Sequence, residues 1–462
     1  MDARRGRRFV IAPPHSAAVD HTHTAPINRY LLRSALVAAF GGLLFGFDTA
    51  VISGTTRSLT ETFSLSPALL GVTVSSALWG TVVGAFGAGR PSDRFGRHPC
   101  LVTLAALYLA SAVGCALAWS WAALIFFRIT GGLAIGASSV TGPMYIAQIS
   151  PAARRVRMAG MFQLNIVAGI LLACLCNFWI SSFVQSTSEW RWKLGMLAIP
   201  AVAFFTALFG IPESPRWLIA HGRLEEARAV LHRIGSPDPD GELSAIGRTV
   251  RGDRGLRRER LFRPQHAKPV FLAISIGMFN QLSGINAILY YLNSIVERAG
   301  FTKVSSDMRA VMIGFTNLLT VAAMTAIDHL GRRRLLLAAA IGTALCLAGR
   351  RRNFRNGKAT TSASLASHRV HSLVRFLAGR CDLGLPERGL SQSRPREGPE
   401  SRQFRTLVHE RADLSRFPVM AARSGATPFV FFALMMAAQF FVVLRFYPET
   451  ARIRLEEIGQ RV

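Results

Sequence analysis

Acidic side chains are scarce in this chain of 462 residues: Asp and Glu number 26 against 54 Lys and Arg, a formal charge of +28. Charge of either sign is thin, at 17% of residues against 50% apolar. A soluble chain this long would divide into two or three domains with charged surfaces, and so little charge does not cover them. Cysteine is rare as well, with six. Five lie in or beside apolar runs and Cys381 lies apart; none stands at zinc or disulfide-framework spacing. No metal and no cofactor is expected. No apolar core precedes residue 30, so no cleavable leader is expected, and residues 1–29 read as a polar cytoplasmic tail carrying Arg4, Arg5, Arg7 and Arg8. His15, His21 and His23 in that tail read as disordered polar sequence rather than metal ligands. No nucleophile–base pair stands beside a cleft-forming motif, so an enzyme is not expected.

What the chain has instead is long apolar runs. Ten are legible, near 31–54, 69–89, 99–120, 122–147, 158–181, 193–211, 269–296, 307–327, 335–348 and 426–446. Most approach the 20 or so residues that cross a hydrocarbon core of about 30 Å. Lipid offers the backbone no hydrogen-bond partner, so these runs must be helical. The expected class is an all-α integral membrane protein with about ten spans as written. Basic residues gather in short loops: Arg90, Arg94 and Arg97, then Arg154, Arg155 and Arg157, then Arg332, Arg333 and Arg334. That is the positive-inside pattern, which expects both termini in the cytoplasm and a bilayer, not nucleic acid, as partner. Six spans (30–211), a polar loop with short amphipathic helices (212–268), then further spans (269–348 and 425–462) suggest two halves around a central site.

Two loops repeat a small charged pattern. GRPSDRFGRH offers Gly89, Asp93, Arg94, Gly96 and Arg97; DHLGRRR offers Asp328, Gly331, Arg332 and Arg333. Glycine allows a tight turn, and the carboxylate can cap a helix or pair with an Arg nearby. One copy per half is the mark of an internal repeat. With GGLLFGFDTAVISG (41–54), PMYIAQISP (143–151), PESPRWL (212–218, with Glu213 and Arg216), QLSGINAILYY (281–291) and PET (448–450, with Glu449), the order and spacing resemble the sugar porters of the major facilitator superfamily, nearest to bacterial xylose-type sugar–proton symporters. The resemblance covers residues 30–348 and 425–462. It implies two six-helix bundles, alternating access to a mid-membrane site, a monomer, and placement in the inner (plasma) membrane. It also puts two departures in the loop between spans four and five: Gln148 where the family has Glu, and Val156 where it has Gly after Arg155. The inner lock of the first half is then weakened.

Polar groups inside the spans carry the expected chemistry. An unpaired charge at mid-bilayer costs about 2.5–3.5 kcal/mol on insertion scales, so Asp48 in the first span and Arg128 in the fourth can offset each other. The resemblance makes Asp48 the protonation site and Arg128 its partner; a purely structural ion pair is the alternative. Sugars are clusters of hydroxyls that both donate and accept, and amides do the same. Gln163, Gln281, Asn286 and Asn317 lie in otherwise apolar helices, at positions matching the family's sugar-binding residues. Asn280 stands where a second Gln is usual. Phe45 and Tyr290 match aromatic positions at the site and its outer gate. Helix-to-helix bonding by these amides is the competing reading. The resemblance implies a hexose or a pentose as cargo.

Residues 349–424 lack any window apolar enough to span, where the family has the rest of helix nine and helices ten and eleven. This stretch carries sixteen Lys/Arg against six Asp/Glu. An insert would leave twelve helices, and a deletion would shorten the chain. Sliding the reading of residues 381–398, CDLGLPERGLSQSRPREG, by one base permits VIWVYLSEVFPNRVRAKG, which resembles the family's tenth helix and following loop. A compensated frameshift from near Gly349 to near Gly425 is expected, with transport impaired in the chain as written. The alternatives are a non-transporting sugar-binding membrane protein and an inert pseudogene product.

Overall fold

The computed structural model describes residues 28–151, 154–184, 186–255, 303–326 and 427–446, with isolated positions between 271 and 341. Among the described residues all regular structure is helical. Helix α1 (Arg29–Val51) starts at Asn28, whose Oδ1 accepts from the Tyr30 N–H at 2.8 Å, and ends in a 3-10 turn at Ile52–Gly54. A short α2 (Thr56–Phe63) leads to α3 (Pro67–Gly87). Ser66 caps α3 and Pro67 occupies its first turn, where a missing N–H costs nothing. Then come α4 (Gly89–Phe95), α5 (Arg97–Ala116), α6 (Trp121–Ile149), α7 (Arg155–Phe183), α8 (Glu189–Gly195) and α9 (Ala198–Leu208).

Six of these stretches are long and apolar enough to cross a membrane: Arg29–Gly54, Pro67–Gly87, Arg97–Ala116, Trp121–Ile149, Arg157–Phe183 and Glu189–Leu208. The first five follow the expected apolar runs closely. The sixth corrects the sequence reading, which starts it at 193. Glu189 and Lys193 lie inside it, 1% and 0% exposed, because each neutralises the other. A second correction concerns GRPSDRF, read as loop: Gly89–Phe95 is helical, and the chain breaks only at Gly96, where φ is +107°.

Successive spans run antiparallel, so the bundle has two ends. One carries Gly96, Pro151 and Pro212; the other carries Gly54, Ser120 and Glu189. At glycines the helices approach to backbone contact. A Cβ on Gly80 or Gly84 of α3 would meet the Ile129 or Leu133 carbonyl of α6 at 1.9 or 2.1 Å. A Cβ on Gly132 or Gly136 of α6 would meet the Ala77 or Thr81 carbonyl of α3 at 1.8 or 2.0 Å. Small residues four apart on both partners are how helices associate without a hydrophobic driving force between them. Gly46 and Gly169 join α1 to α7 in the same way.

Three short helices follow the sixth span: α10 (Pro215–Ala220), α11 (Leu224–Arg233) and α12 (Pro239–Gly255). Asn28 Nδ2 donates to the Arg233 carbonyl at 2.9 Å, fixing α11 under the start of α1. Helix α13 (Lys303–Ala326) lies on α7, with Gly314 facing Leu171. Helix α14 (Thr427–Phe446) buries Phe432, Met436, Gln439 and Val443, a stripe at helical spacing, and exposes Leu434, Phe441 and Leu444. Leu289–Leu292, Ala310, Ile313, Phe432 and Met436 share one buried apolar cluster with the first six spans. Bare aromatic rings crowd the Gly54 end, where Trp119, Trp179, Phe183 and Trp192 are all exposed. Such rings suit the membrane–water boundary. The expected spans 269–296 and 335–348 and the segment 349–424 lie outside the described residues, save isolated positions.

Candidate functional site in the membrane interior

Helices α1 and α6 place Asp48 and Arg128 against each other. Arg128 Nη1 donates to Asp48 Oδ1 at 3.3 Å and Nη2 to Oδ2 at 3.5 Å. Asp48 is 8% exposed and Arg128 2%. Charge-assisted bonds of this kind usually measure about 2.7–2.9 Å, so the pair is in register but loosely closed. Arg128 Nε finds no hydrogen-bond partner among the described residues. Around the pair, Tyr108 and Ser138 share a hydroxyl–hydroxyl bond of 2.9 Å, and Ser111 Oγ donates to the Phe127 carbonyl at 2.7 Å.

The other expected site residues are placed in part. Phe45 is half-buried on α1, and its carbonyl accepts from Thr49 Oγ1 at 2.8 Å. Gln163 is half-buried on α7 beside Phe162, whose carbonyl meets Gly42 of α1, so the two residues flank one helix contact. Asn317 is 3% exposed on α13, three residues beyond Gly314, which touches α7. Tyr290 is 2% exposed and belongs to the apolar cluster that includes Leu44, Phe47 and Ile170. Asn280, Gln281, Asn286, Asp328, Gly331, Arg332, Arg333 and Glu449 lie outside the described residues.

At the Gly96 end the charged motifs form one network. Glu213 is its hub: Oε1 accepts from the Arg97 N–H at 3.0 Å and Oε2 from the His98 N–H at 3.1 Å. These are the first backbone donors of α5, and a carboxylate there also meets the positive end of the helix. Asp93 accepts from Arg97 Nη2 at 3.0 Å, and the Asp93 carbonyl accepts from Trp217 Nε1 at 2.9 Å. Tyr145 donates to the Pro212 carbonyl at 2.7 Å. Gln148, the departure noted above, accepts at 2.7 Å from Ser214, which caps α10, so the position still ties α6 to PESPRWL without a charge. Arg94 is exposed and lies over the Phe95 ring. Gly89 opens α4, Arg155 is exposed at the start of α7, and Arg216 sits in α10.

Sequence reasoning missed the groups at the Gly54 end. Lys193 Nζ donates to the Gly54 carbonyl at 2.9 Å and to Ser181 Oγ at 2.8 Å, and pairs with Glu189 at 2.5 Å. Asn177 Nδ2 donates to the Ala50 and Val51 carbonyls at 3.4 and 3.3 Å. Ser53 Oγ donates to Asn293 Oδ1 at 3.4 Å, and Asn293 donates onward to Asp307. Two charges four apart in EWRWK are the one signal that could have exposed the first of these.

Residues 34–366 match the family described as Sugar (and other) transporter. Over 336 residues the chain is 38% identical to the glucose transport protein of Synechocystis, covering 70% of this chain and 72% of that one. It is 32% identical over 350 residues to the D-xylose-proton symporter of Escherichia coli K12, covering 69% and 71%. Its fold is similar to the inward-open structure of the xylose transporter XylE from E. coli, with a TM-score of 0.80, 28% identity, and coverage of 94% of this chain and 100% of that one. With a loosely paired carboxylate and guanidinium inside an all-helical bundle, the chain belongs to the sugar transporter family of the major facilitator superfamily, integral membrane transporters and not enzymes.

Proposed function

We propose that this sequence encodes a sugar–proton symporter of the plasma membrane that works by alternating access, with both termini in the cytoplasm. The observation that carries the reading is the buried Asp48–Arg128 pair, bonded at 3.3 and 3.5 Å. Protonation of Asp48 releases Arg128 and lowers the cost of rearranging α1 against α6; deprotonation restores the pair. Phe45, Gln163, Tyr290 and Asn317, with Asn280, Gln281 and Asn286, would line the monosaccharide site. Similarity to a D-xylose-proton symporter supports a pentose or hexose as cargo. Asp48→Asn keeps a hydrogen-bonding group of the same size but removes the exchangeable charge. In the frame-corrected chain, uphill uptake of labelled xylose or glucose should vanish while sugar binding persists; accumulation in the variant would overturn the coupling role.

Residues 349–424 are proposed to be read out of frame, so that the chain as written does not transport. The family match ends at 366, although Thr427–Phe446 is again an apolar helix of 20 residues. Sequencing the gene through codons 340–430 tests this directly. A gained or lost base near each end gives a twelve-helix transporter. An intact frame leaves the second reading, a membrane protein that binds sugar without moving it.

A further inference from the structure

The Gly54 end of α1 is fastened in two very different ways. Toward its own half of the molecule it is clamped by buried, hydrogen-bonded groups. Lys193, 0% exposed, spends its ammonium donors on Gly54, Ser181 and Glu189. Ser181 in turn donates to Glu189 at 2.7 Å, and Asn177 holds the last α-helical carbonyls, Ala50 and Val51. Helices α1, α7 and α8 thus share one polar knot that leaves the end of α1 no freedom to move alone.

Toward the other half, a long polar contact from Ser53 crosses. Ser53 Oγ reaches Asn293 Oδ1 at 3.4 Å, near the limit of a useful bond, and shares its one proton with the Ala50 carbonyl at 2.8 Å. Behind it, Asn293 donates its Nδ2 to Asp307 at the start of α13. All three side chains are buried, at 2%, 5% and 1% exposed. The Asn293 amide is oriented by this carboxylate: with its NH2 committed to Asp307, its carbonyl must face Ser53.

We infer that Ser53, Asn293 and Asp307 form a polar latch that holds the Gly54 side of the transporter shut, with Asp307 setting the orientation of Asn293 and the Lys193 knot serving as the fixed plate against which it closes. The inference rests on the alternating-access reading, in which this side is the outer one. Similarity to an inward-open structure fits a chain closed at this end. The weakness of the crossing bond is functional: the latch must open once per cycle, so a bond of ordinary strength across the gap would hold one state too firmly. Ser53 and Asn293 are positioning residues that set the balance between the two faces.

The test is a distance measurement in lipid on the full chain, in the reading frame that sequencing of the gene establishes, with its cysteines replaced. Spin labels go at Glu61 on α2 and Met308 on α13, both exposed near the Gly54 end and on opposite halves. Pulsed electron resonance then reads the separation. Ser53→Ala and Asn293→Leu should each raise the ratio of open to closed populations about two-fold, the low end of the range of about 0.5–1.5 kcal/mol for one hydrogen bond. The double variant should exceed the larger single effect only slightly, since both remove the same contact. Ser53→Trp supplies a steric wedge at the same point. If the wedge lengthens the distance and neither polar variant does, alternating access stands and the latch is wrong. If the wedge changes nothing either, this end does not open, and both the latch and the alternating-access reading fail.

Discussion

At Gly96 one missing methyl group decides how two motifs meet. Its φ of +107° is a conformation that side chains rarely adopt, and a Cβ there would stand 2.2 Å from Glu213 Oε2. Gly96→Ala therefore strains the backbone by about 1–3 kcal/mol and pushes Glu213 off the Arg97 and His98 amides. A lower melting temperature in detergent is the expected outcome, read by fluorescence-detected size exclusion. Lys193 makes the complementary case, because its removal leaves Glu189 charged in a fully buried site. Lys193→Met should destabilise by about 3–5 kcal/mol, the usual cost of an abandoned buried partner, whereas adding Glu189→Gln should recover much of that loss. Thermal unfolding of the single and the double variant separates the two. If both melt alike, the ion pair is not what holds α8 against α7.

The helices were legible to the extent that lipid dictates them. Five of the six described spans follow their apolar runs, since no other structure satisfies a backbone in hydrocarbon. The sixth was cut short by four residues because a single sequence shows Glu189 and Lys193 as two charges, and only folding shows them as one neutral pair. Asp48 and Arg128 were legible for the opposite reason: lone charges in separate spans have few other places to go. The Tyr108–Ser138 bond and the Asn293 bridge could not be read in advance. They depend on helix rotation, and Tyr, Ser and Asn carry no signal of their own. The paired glycines of α3 and α6 bring a prediction at this scale. Gly132→Val forces a side chain into the Ala77 carbonyl, 1.8 Å from the Cβ position, and should abolish the monodisperse folded fraction. Gly87→Ala and Gly160→Ala, with nothing within 4 Å of the added carbon, should leave it unchanged. Equal losses at all three would mean that glycine serves α3 and α6 through flexibility rather than close approach.

Taken whole, the molecule joins a first half of six spans, packed through backbone contacts, to a second half represented by α13, α14 and a few positions near 290. That division gives the frame proposal its sharpest consequence. Expressed side by side, the chain as written should insert without measurable sugar uptake. A frame-corrected chain should accumulate sugar and lose that accumulation when a protonophore collapses the proton gradient. Equal uptake by both would remove the case for a reading error. The exposed rings at the Gly54 end add something of a different kind. Trp119, Trp179 and Trp192 stand toward the Gly54 end, on the side opposite Trp217. Three of the seven tryptophans are thus fluorophores confined to a single leaflet. Quenchers loaded into that leaflet alone would dim most of the accessible emission, and loaded into the other would spare it. The protein carries its own optical marker of which way up it sits.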